Sequence, residues 1–135
     1  MIFGIGIDIA KCERFSKWLK SPGMVERFFN QNEILQATAA GAPLTPAQES
    51  ARLQHYAARF AAKEAFSKAL GCGLLFDLRD VWVENEDSGR PVLKLKGSAL
   101  EALKKRCQDW QRAKIFVSLS HEKEYAAAQV VIEIP

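Results

Sequence analysis

TPAQESARLQHYAARFAAKEAFSKALG, residues 45–71, is the stretch on which the reading of the whole chain turns. Thr45 followed by Pro46, with Gln48 at the third helical position, makes a capping box with proline at the first helical position. No breaker intervenes before Gly71 and Gly73, so one long helix is predicted over 45–70. At about 100° per residue, Arg59, Lys63, Ser67, Glu64 and Lys68 fall on one half of its circumference. Ala61, Ala62, Ala65, Phe66 and Ala69 occupy the other half, small enough to let a second element pack close behind. Taken alone, the polar half is a solvated face, with Glu64 and Lys68 an i,i+4 pair worth about 0.2–0.5 kcal/mol. It equally offers three cations, a hydroxyl and a carboxylate to a ligand.

On the N-terminal side, IFGIGIDI (2–9) alternates with period two and reads as a strand. Ile5, Ile7 and Ile9 face one way; Gly4, Gly6 and Asp8 face the other. Two glycines on one face leave room for close approach to the backbone, and Asp8 ends the strand beside that space. Residues 11–19 read as a helix that buries Phe15, Trp18 and Leu19, stopped by Ser21-Pro22-Gly23. Short helical pieces are expected at 24–29 and 33–40, with a loop at 40–44.

On the C-terminal side, 81–84 and 92–95 are short alternating strands, and NEDSGRP (85–91) between them reads as a hairpin connection. Ser98 with Glu101 suggests a second capping box opening a helix to about residue 111. Strong strands follow at 115–120 and 126–134, joined across 121–125. Helices and hairpins mixed in this way give an α+β class.

With 135 residues, the chain is expected to form one domain spanning 1–135. Eight Phe and three Trp argue against disorder, and no stretch approaches the roughly 20 apolar residues of a membrane span. Asp8 breaks the apolar N-terminus and no basic leader precedes it, so neither export nor insertion is expected. Three cysteines, widely spaced and without a C-x-x-C pair, suggest neither zinc nor a disulfide framework. They read as reduced thiols of a cytoplasmic protein, with Cys107 facing a core. A net charge of +3 fits an anionic ligand or an acidic partner. A nucleic-acid-binding domain is disfavoured, because no clustered basic stripe or aromatic stacking platform is present.

The order of motifs is more specific than any one of them. GIGIDI at 4–9, RFAAKEAFSKALG at 59–71, GRP at 89–91 and VSLSHEKEYAAAQVVIE at 117–133 together resemble the holo-(acyl carrier protein) synthase group of phosphopantetheinyl transferases, over essentially the whole chain. The resemblance implies an antiparallel sheet packed on the long helix. It implies transfer of 4′-phosphopantetheine from coenzyme A to a serine of apo acyl carrier protein, in support of fatty acid biosynthesis. Asp8 and Glu64 would hold Mg²⁺, which takes hard oxygen ligands and typically one or two carboxylates beside substrate phosphates.

Asp8, Glu64, Lys68 and His121 are then the expected catalytic residues, with His121 a phosphate contact or proton carrier. Arg59, Lys63, Ser67, Gly71, Gly89, Arg90, Pro91 and His121 would line the coenzyme A site. Arg14, Met24, Arg27 and Phe28 would meet the acidic carrier protein, although one of Phe28 and Phe29 is core. Glu64 and a metal-bound water are both candidates for the base that takes the serine proton. Family members of this length form homotrimers with active sites between subunits. A silent coenzyme A or carrier-binding module on the same fold is the competing reading, disfavoured by the intact carboxylates and lysines.

Overall fold

The computed structural model describes residues 1–36 and 42–135. Strand β1 (Ile2–Lys11) leads into two short helices, α1 (Arg14–Lys20) and α2 (Met24–Phe28), and then into the long α3 (Pro46–Leu70). A hairpin of β2 (Val81–Asn85) and β3 (Pro91–Leu95) follows, then α4 (Gly97–Arg106), and finally β4 (Lys114–His121) and β5 (Tyr125–Glu133). The strands form two antiparallel sheets, one of three strands in the order β1-β5-β4 and one of two, β2-β3. The expected α+β class, with an antiparallel sheet packed on a long helix, is what the chain adopts.

Helix α3 starts as its sequence dictates. Thr45 Oγ1 accepts from the Gln48 amide at 3.2 Å, and Gln48 Oε1 accepts from the Thr45 amide at 2.9 Å. At its other end Gly71 takes a left-handed conformation (φ 72°), donating its N–H to the Ser67 and Lys68 carbonyls. An L residue pays a steric penalty there that glycine does not.

The alternation of β1 is as expected, and α3 takes up the room that its glycine face leaves. The glycine face points inward, where an ideal Cβ on Gly4 would stand 1.9 Å from the Ala69 carbonyl oxygen. The same test at Gly6 gives 1.9 Å from the Ala65 carbonyl oxygen. Strand and helix backbones touch, which the alanine side of α3 permits. Ile5, Ile7 and Ile9 face away from the helix and are 59, 63 and 66% exposed. The register places Val131 and Phe116 in the row of Ile5, Gln129 and Ser118 in the row of Ile7, and Ala127 and Ser120 in the row of Ile9, so the outer face of this sheet is apolar along β1 and mixed across β5 and β4.

Beneath α1 and α2 lies an aromatic cluster. Phe15 is fully buried and meets Trp18, Phe29 and Phe60 edge-on or tilted at centroid distances of 4.9, 6.4 and 5.5 Å. Burying a side chain of that size stabilises by about 1.5–3 kcal/mol. Phe29 belongs to this core, whereas Phe28 stays half-buried. Cys107 is buried, and all three cysteines are free.

Four boundaries differ from the sequence expectation. Lys11 remains in β1 opposite Tyr125, and buried Cys12 continues the alignment through its amide to the Glu124 carbonyl, so α1 begins only at Arg14. Helix α4 is not capped by Ser98. Its N-cap is Lys96, while the Ser98 hydroxyl donates to Asp80 Oδ2 at 2.6 Å and Glu101 pairs with Lys104. That helix ends at Arg106, because Cys107 leaves helical geometry to enter the core; a separate 3-10 turn covers Trp110–Arg112. Around 33–40, a 3-10 turn at Gln31–Glu33 gives way to non-helical Ile34. The remainder of that expected helix, and of the loop at 40–44, falls partly on 37–41, outside the described residues.

Candidate active site

Two residues beyond Gly6, the inner face of β1 carries Asp8, facing the last turns of α3. Lys68 closes the gap: its Nζ donates to Asp8 Oδ1 at 3.0 Å and to the Ile7 carbonyl at 2.9 Å. Glu64, one turn earlier, is half-buried beside them. Burial pushes its carboxyl above the ordinary glutamate range and the Asp8 charge pushes it further, against the opposing pull of Lys68 and Arg14. Asp8, Glu64, Lys68 and Arg14 therefore share one electrostatic neighbourhood. Among the described residues no group of three or more His, Cys, Asp or Glu forms a closed metal cage. Two carboxylates that repel each other beside solvent fit a cation that keeps its waters, as Mg²⁺ does.

The middle of the polar half of α3 does not reach this site. Lys63 is 0% exposed, and its ammonium donates to Glu33 Oε1 at 2.5 Å, Leu78 O at 3.0 Å and Val81 O at 2.5 Å. Burial pulls its pKa below the usual lysine value, opposed by Glu33. Glu33 is equally buried and also accepts from the Asn30 and Val83 amides. Lys63 is thus a structural cation with every donor used, and the expected phosphate contact does not form. Ser67 is buried too, its hydroxyl donating to the Glu64 carbonyl at 2.7 Å, so the ligand-lining role expected of it has no surface to act on. A charge count on a helical wheel cannot separate a solvated lysine from one matched to a buried acid elsewhere in the chain.

Arg59 emerges on the far side. Nine positions separate it from Lys68, about 180° around the helix. It lines a cleft of about 490 Å³ together with Gln54, His55, Gly89, Pro91 and His121. His121 ends β4, the edge strand opposite β1. The Arg59 Nε is buried without a hydrogen-bond partner among the described residues, and burial lowers the pKa of the guanidinium. His55 places Nε2 2.6 Å from the Glu33 carbonyl, which can only accept, so Nε2 carries the proton. Burial, and then the Arg59 charge, pull this imidazole down to about 4, leaving it neutral near pH 7. Arg90 is exposed on the hairpin turn and does not line the cleft; its carbonyl accepts from the Glu86 amide. Gly71 caps α3 next to Lys68, and its carbonyl accepts from Arg106 Nη2 at 2.7 Å.

The expected docking residues cluster on α1 and α2. Arg14 is exposed, with its guanidinium carbon 4.8 Å from the Phe60 ring centroid and 5.7 Å from that of Trp18. Phe28 packs on Trp18 at 4.9 Å, Arg27 lies 5.8 Å over Phe28, and Met24 is half-buried at the start of α2.

The structure thus gathers Asp8, Glu64, Lys68 and Arg14 at one edge of the larger sheet, and Arg59, Gly89, Pro91 and His121 at the other. Sequence reasoning missed His55, Gln54 and Glu33. His55 stands four residues before Arg59 and so on the same helical face, and Asn30-x-x-Glu33 is itself a capping box; both were legible signals.

The comparisons with known proteins agree throughout the chain. The profile of the 4′-phosphopantetheinyl transferase superfamily matches residues 4–130. A holo-[acyl-carrier-protein] synthase of Treponema denticola is 46% identical over 134 residues, covering 98% of this chain and 99% of that protein. One from Geobacter sulfurreducens is 42% identical over 139 residues, covering 100% of both. The crystal structure of a holo-(acyl-carrier-protein) synthase from Bacillus anthracis in complex with CoA (3′,5′-ADP) is 36% identical. It superposes with a TM-score of 0.72 over 100% of this chain and 99% of that one. With matches of this extent, the chain belongs to the 4′-phosphopantetheinyl transferase superfamily.

Proposed function

We propose that this chain is a holo-(acyl carrier protein) synthase. It transfers 4′-phosphopantetheine from coenzyme A to a serine of apo acyl carrier protein, releases adenosine 3′,5′-bisphosphate, and supports fatty acid biosynthesis in the cytoplasm. The observation that carries the reading is the cluster of Asp8, Glu64 and Lys68 where β1 meets α3, in a chain that matches this superfamily almost end to end. The cytoplasmic setting rests on three free cysteines, and no helix among the described residues is long and apolar enough to cross a membrane.

Asp8 and Glu64 would hold Mg²⁺ through hard carboxylate oxygens. When bound, the ion supplies Lewis-acid stabilisation of the charge that grows on the pyrophosphate oxygens. Lys68 adds a mobile cation at the same edge, where a phosphate can take its third donor. The serine oxygen bonds to the phosphorus that bears pantetheine as the bond from that phosphorus to the bridging oxygen breaks, and the serine proton passes to Glu64 or to water. Arg14 both flanks Glu64 and stands on the exposed face of α1, so a carrier docked by its acidic surface on Arg14, Met24, Arg27 and Phe28 would bring its serine toward the carboxylates.

One subunit places the carboxylates and the Arg59–His121 cleft at opposite edges of a three-stranded sheet, with β5 between them. The outer face of that sheet carries Ile5, Ile7, Ile9, Phe116 and Val131, an exposed apolar patch of the kind that marks association. A homotrimer joined through this face would set the Asp8 edge of one subunit against the His121 edge of the next. Coenzyme A would then span the two, its adenosine end at Arg59, Gly89, Pro91 and His121 and its pyrophosphate at Asp8, Glu64 and Lys68.

The test is intact-protein mass spectrometry of apo acyl carrier protein incubated with the enzyme, coenzyme A and Mg²⁺. The carrier is expected to gain the mass of one phosphopantetheine. A carrier of unchanged mass, with coenzyme A still bound by the protein, would establish a binding module instead.

A further inference from the structure

We propose that Lys68 is a built-in stand-in for the metal: its ammonium holds Asp8 in place until a divalent cation displaces it, and the displaced ammonium is then free to take a phosphate. The inference rests on the reading of Asp8 and Glu64 as the metal carboxylates.

The two lysines of α3's last turns make the contrast. Lys63 gives all three donors to buried acceptors and is locked into the fold. Lys68 gives two, to Asp8 Oδ1 and the Ile7 carbonyl, and keeps one. Its side chain is 53% exposed, while that of Asp8 is 19% exposed. The carboxylate is held by the strand, and the ammonium sits at the end of a flexible stem already in water. Lys68 can therefore leave with little desolvation, and Asp8 stays where it is. No other cation among the described residues is paired with Asp8, so the position a metal would claim on its Oδ1 is the one Lys68 occupies.

The exchange needs no covalent rearrangement. The dication takes over one ammonium's contact with Oδ1. It adds two positive charges to a neighbourhood of two carboxylates, Lys68 and Arg14, which suits an incoming pyrophosphate. Before the exchange Lys68 offsets part of the repulsion between two neighbouring carboxylates. Afterwards the same side chain is one of the cations beside the ligand.

The experiment titrates full-length protein with Mn²⁺ alone, without coenzyme A or carrier, read by electron paramagnetic resonance of the free ion. Lys68→Met should tighten Mn²⁺ binding about two- to fivefold, the range of an exposed ion pair. Lys68→Arg, which can grip a carboxylate with two parallel bonds, should weaken it. Arg14→Gln removes a charge from the same neighbourhood without touching Asp8 and should tighten binding less than Lys68→Met. Equal or weaker Mn²⁺ binding in a folded Lys68→Met protein overturns the stand-in role. Asp8→Asn and Glu64→Gln separate the two layers of the reading. If neither affects Mn²⁺ binding, the metal assignment falls and takes the stand-in with it. If both abolish binding while Lys68→Met fails to tighten it, only the stand-in falls.

Discussion

Replacing Lys63 with methionine tests the least anticipated feature of α3. The substitution keeps the length and apolar stem of the side chain but removes the ammonium that meets Glu33, Leu78 O and Val81 O. Glu33 would be left with the Asn30 amide on Oε1 at 3.1 Å and the Val83 amide on Oε2 at 3.2 Å, fully buried and without a countercharge. Removing one partner of a buried pair costs about 3–5 kcal/mol. For a chain of this size that is roughly 10–20 °C in Tm. A second change, Glu33→Gln, removes the stranded charge and should recover part of the loss. It should not recover all of it, because the Val81 carbonyl loses the ammonium and the Leu78 carbonyl keeps only the Val81 amide. Denaturant unfolding of the two single variants and the double gives the coupling energy, and steady-state kinetics at a temperature where the variants are folded gives KM for coenzyme A. The expected pattern is a large stability loss with little change in KM. A Tm within about 2 °C of wild type, together with a clear rise in KM, would put the ammonium on a phosphate and refute its burial.

Gly6→Ala must push a methyl into the Ala65 carbonyl at 1.9 Å, backbone against backbone, so a loss at or above the usual 1–3 kcal/mol of overpacking, about 3 kcal/mol, is expected by urea unfolding. His55 has a folded-state pKa of about 4 against an ordinary 6.5, so the stability it contributes is complete above 6.5 and is lost as pH falls from 6.5 toward 4. In His55→Phe that part of the pH dependence of Tm should disappear. Glu64 runs the other way: its raised pKa means it favours the folded state only at acid pH and opposes it once ionised. Glu64→Gln should therefore raise Tm slightly at pH 7 and leave it unchanged near pH 4, even as transfer is abolished. Ile7→Lys on the outer face of β1 should shift the protein toward monomer in light scattering; unaltered mass would remove that face from the interface.

What could be read from sequence followed local chemistry. The capping box at Thr45 and the αL glycine at 71 are complete in consecutive residues, and both ends of α3 were legible. So were the period-two strands, because alternation needs no knowledge of partners. The room on the glycine face of β1 was legible too; what could not be read was that the alanines of α3 fill it and leave Ile5, Ile7 and Ile9 exposed. Ser98 was misread for a related reason, since Asp80, eighteen positions away, competes for its hydroxyl more effectively than its own helix does. Lys63 looked like Lys68 on the wheel, and the difference lies in Glu33, thirty positions earlier. Asp8, Glu64 and Lys68 came together as expected because strand and helix each place them by simple period. Arg59 and His121 meet at the opposite edge, and only the three-dimensional order β1-β5-β4 reveals that separation.

The proposed transfer site joins the Asp8 edge of one subunit to the Arg59 edge of its neighbour. Mixing Asp8→Ala protein with Arg59→Ala protein, each inactive alone, and allowing subunits to exchange tests this directly. In a cyclic trimer every mixed assembly contains one junction with both wild-type edges, so an equal mixture should regain about a quarter of wild-type phosphopantetheine transfer. Activity no greater than the sum of the two variants, with exchange verified by mass spectrometry, would contradict it.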